Sequence, residues 1–157
     1  MTALLLAAGT ALNHALRRGL APTNGKREPV LSEQTLIAIV DDDQSFRDSL
    51  RRLLKSLGYA VATFPSAAEF LESPELAGTA CLVTDIHMPA ITGIELYSHL
   101  VETGHAIPTI LVTAYPDDGA QERMLAAGVR CYLRKPLEEA RLIGCLRSAV
   151  EYGKAPR

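Results

Sequence analysis

The sequence predicts an α/β fold in which a five-stranded parallel sheet is covered by helices on both faces. Short apolar runs alternate along the chain with longer stretches whose apolar residues recur every three or four positions. The short runs are apolar at nearly every position, which is typical of parallel strands buried on both sides. Residues 35–152 hold these elements, whereas residues 1–34 are expected to be an extension with a linker and residues 153–157 a tail.

Length and composition indicate one globular domain. The chain has 157 residues, of which 48% are hydrophobic and 22% charged, which is enough for a full core. Its 16 basic and 18 acidic side chains give a formal net charge of −2, and no cluster of Lys and Arg with aromatic residues occurs. Direct binding to DNA is therefore not expected.

Residues 1–34 contain an apolar stretch that is too short to span a bilayer. Arg17 and Arg18 follow this stretch rather than precede it, which does not favour a signal peptide. We therefore expect a cytoplasmic protein without a membrane anchor. The segment fits either a short amphipathic helix or a poorly ordered extension.

The first strand is predicted at residues 36–40, and an amphipathic helix follows it up to Gly58, which suits the C′ position. Residues 59–63 form a second strand. A capping box at residues 66–69 opens a brief helix that stops before Pro74. The apolar stripe of the first helix consists of Phe46, Leu50, Leu53, Leu54 and Leu57.

The third strand is predicted at residues 81–85 and ends on an acid. The third helix is closed by Gly104, and a fourth strand spans residues 109–113. The apolar stripe of this third helix consists of Ile94, Leu96, Tyr97, Leu100 and Val101.

The fourth helix is expected to begin at Pro116 and to run to about Ala127, with Gly128 as its cap. The fifth strand spans residues 129–133. The fifth helix carries the apolar residues Leu142, Ile143, Leu146, Ala149 and Val150. Right-handed crossovers then favour a flavodoxin-like, doubly wound sheet of order 2-1-3-4-5 with five helices, in which strands one and three are neighbours.

Charged side chains stand where three of these strands end. Asp41, Asp42 and Asp43 follow the first strand. Asp85 ends the third strand, and Lys135 follows the fifth. In a parallel sheet these ends lie at one edge, where α/β folds build their sites. Because two like charges about 4 Å apart repel by roughly 4 kcal/mol at an effective dielectric near 20, we expect the acids to share a hard cation such as Mg²⁺.

Three cysteines, Cys81, Cys131 and Cys145, lie inside apolar runs. They show neither a C-x-x-C spacing nor a histidine at the spacing of a metal ligand. The sequence therefore predicts buried, reduced thiols in a reducing compartment.

Taken together, five features resemble the receiver domain of bacterial two-component response regulators, from about Leu36 to Val150. In chain order they are Asp41-Asp42, Asp85 with Met88-Pro89 and Gly93, Thr113-Ala114, Tyr132, and Lys135-Pro136. The surrounding sequence is most similar to receivers that precede a LuxR-type helix-turn-helix output domain. Because the chain ends at Arg157, we expect a stand-alone receiver.

The resemblance implies a phosphoryl acceptor. Asp85 would take a phosphoryl group from a sensor histidine kinase or a phosphotransfer protein. Mg²⁺ would be held by Asp42, Asp85, the backbone carbonyl of His87 and, through a water, Asp41. The protein would be a self-phosphorylating acceptor, with or without autodephosphorylation, and not a turnover enzyme.

The resemblance also implies a switch. Lys135 would contact the phosphoryl oxygens, and Thr113 would donate its hydroxyl to one of them. Thr113 and Tyr132 would then change the face built from helix four, strand five and helix five, which binds a downstream protein or a second copy of the chain. In the family, the positions of His87 and Tyr115 tune how fast the acyl phosphate hydrolyses.

Two other interpretations stay open. Residues 41–45 approximate the D-x-D-x-T signature of haloacid-dehalogenase-type phosphatases, with Asp41 as nucleophile and Asp43 as acid, although only Glu138 and Glu139 offer the late acidic pair that such enzymes need. The other is a pseudo-receiver that binds a partner without being phosphorylated. Loss of an acid, the lysine or the threonine would be its signature, and all of them are present.

Overall fold

A computed structural model describes residues 34–154 of the chain. The predictions for the extension, the linker and the end of the tail concern residues outside this part. Thr35 begins one compact unit. Between residues 34 and 154, no helix is long and apolar enough to cross a membrane.

Five strands form one sheet in which every neighbouring pair is parallel. Their order is β2-β1-β3-β4-β5, which confirms the predicted flavodoxin-like architecture. The strands are β1 (Leu36–Val40), β2 (Ala60–Phe64), β3 (Cys81–Asp85), β4 (Thr109–Thr113) and β5 (Cys131–Arg134).

Within residues 34–154, five α-helices connect and follow the strands, as predicted, and one short 3-10 turn at Leu76–Gly78 precedes β3. Each of the first four helices is preceded by an N-cap residue, whose side chain accepts a hydrogen bond from a backbone N–H group of the first turn. The helices are α1 (Gln44–Ser56), α2 (Ala67–Leu71), α3 (Gly93–Glu102), α4 (Asp118–Ala126) and α5 (Glu139–Lys154).

Side chains from both faces of the sheet form the core. On one face, Ile37 of β1 belongs to a buried cluster with Leu142 of α5. On the other face, Ala38 belongs to a cluster with Leu96 of α3, and a third cluster joins Tyr132 of β5 to α4. Burial of each large apolar side chain stabilises the fold by about 1.5–3 kcal/mol. The carboxyl ends of β1 and β3 are thus held on a rigid support.

The boundaries of three elements differ from the predictions, and β2 and β5 also end one residue later than expected, at Phe64 and Arg134. β2 begins at Ala60 and β5 at Cys131, one and two residues later than expected. Both are outer strands, which pair on one side only. Pro116 does not begin α4, because the side chain of Asp117 accepts the N–H of Ala120 at 2.9 Å and serves as the N-cap. A carboxylate that satisfies a free N–H defines the helix start better than proline does.

The prediction that all three cysteines are reduced thiols is wrong for two of them. Cys131 of β5 and Cys145 of α5 form a disulfide. Their side chains meet because α5 packs across the sheet beside β5, a contact that a separation of 14 residues along the chain does not reveal. Cys81 agrees with the prediction: it is free and buried in β3, and burial raises the pKa of its thiol to about 12.

A side chain of α3 joins that helix to the end of α4. The hydroxyl of Tyr97 donates a hydrogen bond to the carbonyl of Ala127 at 3.0 Å. Gly128 follows with a φ of 113°, and a Cβ there would stand 2.7 Å from the Tyr97 hydroxyl. Burial raises the pKa of Tyr97, so its hydroxyl remains a neutral donor.

Candidate functional site

Three acids meet at the carboxyl edge of the sheet. Asp41 and Asp42 follow β1 and Asp85 ends β3, and these two strands are neighbours in which Val40 pairs with Thr84. One carboxylate oxygen from each acid lies within 4.8 Å of the other two. Asp41 and Asp85 are buried, while Asp42 is exposed. The structure therefore brings the predicted acids together.

Lys135 directs its charge into this cluster from the segment after β5. Its Nζ lies 2.8 Å from Oδ2 of Asp41 and 3.8 Å from Oδ1 of Asp85. The ring of Phe46, on α1, lies beneath the ammonium at 4.1 Å from its centroid. Lys135 is thus paired first with Asp41 and remains close to Asp85.

Asp41 is held by more contacts than the sequence suggests. Its Oδ1 accepts the backbone N–H of Asp43 at 2.8 Å, and Arg47 donates to its backbone carbonyl at 2.6 Å. The side chain of Asp43 caps α1 by accepting the N–H of Phe46. Asp43 therefore serves the helix start. The roles of Phe46 and Arg47 were not predicted, because their spacing fits an ordinary amphipathic helix equally well.

The environment of Asp85 favours its protonated form. Burial raises the pKa of this carboxyl group, and the carboxylates of Asp41 and Asp42 raise it further. The ammonium of Lys135 and a hydrogen bond from the backbone of His87 act in the opposite direction without cancelling the effect. An added positive charge would therefore stabilise the ionised form of Asp85.

The loop after β3 closes tightly on Asp85. The N–H of Gly93 donates to the carbonyl of Ile86 at 2.9 Å, and Ala90 has a positive φ of 68°. A Cβ at Gly93 would collide with the backbone carbonyl of Asp85. The exposed ring of His87 packs edge-on against Tyr115, with 5.4 Å between the ring centroids. The role of the His87 carbonyl as a metal ligand stays a prediction.

The two predicted switch residues lie on neighbouring strands. Thr113 ends β4 and is fully buried, and its hydroxyl oxygen accepts the N–H of Tyr115 at 2.9 Å. The ring of Tyr132 is buried against Met124 of α4, and its hydroxyl accepts the N–H of Asp117 at 3.3 Å. Tyr132 thus contacts α4 both through its ring and through the residue that caps this helix.

The acid cluster fits a divalent cation. Asp41, Asp42 and Asp85 all present carboxylate oxygens, which are the hard ligands that Mg²⁺ prefers, and they are close enough to share one ion. Burial of two of these acids makes their mutual repulsion costly, and Lys135 supplies a single positive charge against three negative ones. The residues present can therefore hold a metal ion.

Known proteins that are similar to this chain are response regulators. The family model for the response regulator receiver domain matches residues 37–147. The response regulator protein TmoT of Ectopseudomonas mendocina is 31% identical over 125 residues, which are 80% of this chain and 57% of TmoT. The transcriptional regulatory protein FixJ of Azorhizobium caulinodans is 33% identical over 120 residues, which are 76% of this chain and 57% of FixJ.

Solved structures agree in fold. A response regulator receiver protein from Burkholderia phymatum is 38% identical, with a TM-score of 0.65 over 75% of this chain and 96% of that one. The chain spans little more than half the length of the two relatives named above. Receiver domains are signalling modules of two-component systems rather than turnover enzymes. On the family match and the agreement in fold, this chain belongs to the response regulator receiver domains.

Proposed function

We propose that Asp85 accepts a phosphoryl group from the phosphohistidine of a sensor histidine kinase or a phosphotransfer protein. The observation that carries this proposal is the position of Asp85: its carboxylate ends a central strand, shares a cluster with two further acids and lies 3.8 Å from the Lys135 ammonium. Asp41 is also buried in this cluster and contacts Lys135, but both of its carboxylate oxygens are engaged, one by the N–H of Asp43 and the other by the Lys135 ammonium.

The chemistry is an in-line displacement at phosphorus. A carboxylate oxygen of Asp85 attacks, the bond from phosphorus to the imidazole nitrogen breaks, and the imidazole leaves with that electron pair. Lys135 stabilises the negative charge on the phosphoryl oxygens. The hydroxyl of Thr113 accepts one hydrogen bond in the structure and keeps its own proton for donation to such an oxygen.

The acids would hold Mg²⁺. In this proposal the side chains of Asp42 and Asp85 and the backbone carbonyl of His87 bind the ion directly. Asp41 binds it through a water molecule. When bound, the ion neutralises charge on the oxygens being transferred. Asp41 also fixes Lys135 in place through the contact of 2.8 Å.

Phosphorylation would be communicated through Thr113 and Tyr132. A phosphoryl group adds a charge of about −1.5 to −2 and would draw the Thr113 hydroxyl toward Asp85. The ring of Tyr132 would then shift against α4, which changes the face formed by α4, β5 and α5. A change in population from about 1:99 to 99:1 requires roughly 5.5 kcal/mol, which several charge-assisted hydrogen bonds supply.

The location, the partners and the rate of phosphoryl loss in this proposal are taken from what the family implies. A cytoplasmic location would let the chain meet its kinase, and the α4-β5-α5 face would bind a downstream protein or, once phosphorylated, a second copy of the chain. The exposed rings of His87 and Tyr115 would set the rate of autodephosphorylation by controlling the approach of water. Direct DNA binding by this chain is not part of the proposal, although one relative is named a transcriptional regulatory protein.

The phosphatase alternative is poorly supported. Its nucleophile would be Asp41, which is fully buried and whose two carboxylate oxygens contact the N–H of Asp43 and the ammonium of Lys135. Its acid would be Asp43, which caps α1. The pseudo-receiver alternative is distinguished by experiment.

Phosphoryl labelling tests the proposal. The protein is incubated with Mg²⁺ and acetyl phosphate, and intact mass and peptide mapping follow the adduct. We expect one phosphoryl group on Asp85 that is labile in both acid and base, as an acyl phosphate is, with no label in Asp85→Asn. The matched control is Asp48→Asn, which removes an exposed acid on α1 and should label like the wild type.

Two outcomes would contradict the proposal. An adduct on Asp41, or continuous hydrolysis of phosphate esters, would support the phosphatase. A folded, Mg²⁺-binding protein that takes no label from acetyl phosphate or from a reactive histidine phosphodonor would support the pseudo-receiver.

A further inference from the structure

We propose that Cys131 and Cys145 are a reversible redox pair, a disulfide modification site that links β5 to α5 and adjusts the signalling face. This inference rests on the proposed function for its regulatory consequence. Its chemical part, the reversible making and breaking of the bond, stands on the positions of the two cysteines alone.

The fold presents the two sulfurs to each other. Cys131 begins β5 and Cys145 lies within α5, with their Cα atoms 6.2 Å apart. This separation lies within the range of about 4.4–6.8 Å that disulfides require, so the bond forms without displacing either element. Both residues are half-buried, whereas Cys81 is fully buried in the sheet. The pair is therefore the cysteine site that small redox reagents can reach.

The location of the pair favours a reversible bond. β5 is an outer strand, so no further strand covers its far side. In the reducing compartment proposed for this protein, a disulfide that forms is transient and redox-sensing rather than permanent.

The exchange is a two-electron reaction with a dithiol reductant. A thiolate of the reductant attacks one sulfur of the Cys131–Cys145 bond, that bond breaks, and the released thiolate takes a proton. The second thiol of the reductant then displaces the remaining cysteine, so the reductant is oxidised to its disulfide and the protein holds two thiols. Glutathione disulfide is the oxidant class for the reverse reaction.

The bond lies next to the switch. Cys131 and Tyr132 are adjacent on β5, and their side chains face opposite sides of the sheet: Cys131 packs with α5, and Tyr132 packs with α4. A polar link near the start of β5 is made by Arg130, which donates to Ser148 at 3.1 Å and lies over the ring of Tyr152. The Arg130–Ser148 hydrogen bond is exposed, and such surface contacts contribute little.

The oxidation state therefore sets how firmly α5 is attached to the strand that carries the switch residue. In the oxidised form, α5 and β5 move as one body, and a shift of Tyr132 must carry α5 with it. In the reduced form, apolar packing such as that of Leu133 with Leu142 still joins β5 to α5, but without the covalent bond β5 adjusts with a smaller displacement of α5. We expect the reduced protein to reach the phosphorylated conformation more readily.

Thiol trapping tests the chemical part. The wild-type protein is equilibrated in native buffer across a series of reduced to oxidised glutathione ratios, with dithiothreitol as the reducing endpoint, then alkylated and analysed by intact mass. We expect Cys131 and Cys145 to gain two alkyl groups together in one two-electron transition, while Cys81 reacts only after denaturation. Persistence of the bond in excess dithiothreitol, or absence of the bond in glutathione disulfide, would overturn the proposal.

Labelling by acetyl phosphate tests the regulatory part. We expect the oxidised protein to label at Asp85 about fivefold or more slowly than the reduced protein, and Cys145→Ser to match the reduced protein in either buffer. Cys81→Ala is the matched control and should retain the redox effect. Equal rates in both forms would refute the regulatory role. If neither the oxidised nor the reduced protein is labelled, the proposed function is contradicted. The thiol-trapping experiment would still test whether the disulfide is reversible.

Discussion

Lys135 supplies positive charge to a site that otherwise holds three carboxylates. The sequence predicted contact with phosphoryl oxygens, whereas in the structure its ammonium lies 2.8 Å from Asp41 and 3.8 Å from Asp85. One cation placed between two buried acids compensates both in part. Lys135 therefore has a structural role alongside the one proposed in phosphoryl transfer.

Lys135→Met tests both roles. Removing the ammonium leaves Asp41 buried without its charged partner, and breaking a buried ion pair costs about 3 kcal/mol or more, so the free energy of unfolding in urea should fall by roughly that amount. Labelling of Asp85 should fall at least about tenfold, since one lost charge-assisted contact is worth roughly 1.5–3 kcal/mol. Lys55→Met, an exposed lysine of α1, should change neither quantity. An unchanged labelling rate would limit Lys135 to structure.

At the residue scale, the sequence predicted which side chains meet but not how they pair. Asp41, Asp42 and Asp85 are brought together as expected because strand ends gather at one sheet edge. The preference of Lys135 for Asp41, and the Phe46 ring beneath it, depend on the angle at which α1 leaves β1. That angle is set by tertiary packing, and no local pattern encodes it.

At the scale of elements, the buried strands were predicted best. The bounds of β1, β3 and β4 match the sequence expectation, because a strand flanked on both sides must be apolar over its whole length. The outer strands β2 and β5 shifted by one or two residues, since their ends are decided by a single neighbour. The disulfide escaped prediction because its cysteines lie on different elements.

Gly93 shows how one backbone position fixes an element against the site. α3 begins where a Cβ would strike the carbonyl of Asp85, so Gly93→Ala must displace either the helix start or the end of β3. We expect a loss of at least about 2 kcal/mol in unfolding free energy, in line with overpacking, and slower labelling of Asp85. Both are measured by urea denaturation and by intact mass.

Gly144→Ala is the matched control for this effect. Gly144 lies on the exposed side of α5, and a Cβ there meets nothing within 4 Å. Because glycine in a helix interior costs about 1 kcal/mol relative to alanine, this variant should be more stable than the wild type. If both glycine variants behaved alike, close packing at Gly93 would not be the cause.

At the scale of the whole molecule, the burial of Asp85 and the charge repulsion in its cluster influence the stability of the entire fold. The raised pKa of Asp85 means that ionising this group costs more free energy in the folded state than in the unfolded state. A cation bound only by the folded protein reverses that cost. Folding and metal binding are therefore expected to be linked.

Thermal denaturation with and without Mg²⁺ measures this linkage. At about 100 times its dissociation constant, the ion should add roughly 2.7 kcal/mol to the unfolding free energy and raise Tm. Asp85→Asn should melt above the wild type in buffer with EDTA and gain little from Mg²⁺, whereas Asp48→Asn should follow the wild type. A wild-type Tm that is indifferent to Mg²⁺ would exclude the metal site.

The bond from Tyr97 to Ala127 has a mechanical consequence for α4. The last turn of this helix is anchored to α3 through that bond, while its first turn is held through Asp117 by the hydroxyl of Tyr132. If Tyr132 moved, only the first turn of α4 would be released, so we expect α4 to rotate about its end at Ala127. A partner protein bound to the first turn of α4 would therefore encounter the largest displacement of the helix, and one bound to the last turn would encounter almost none.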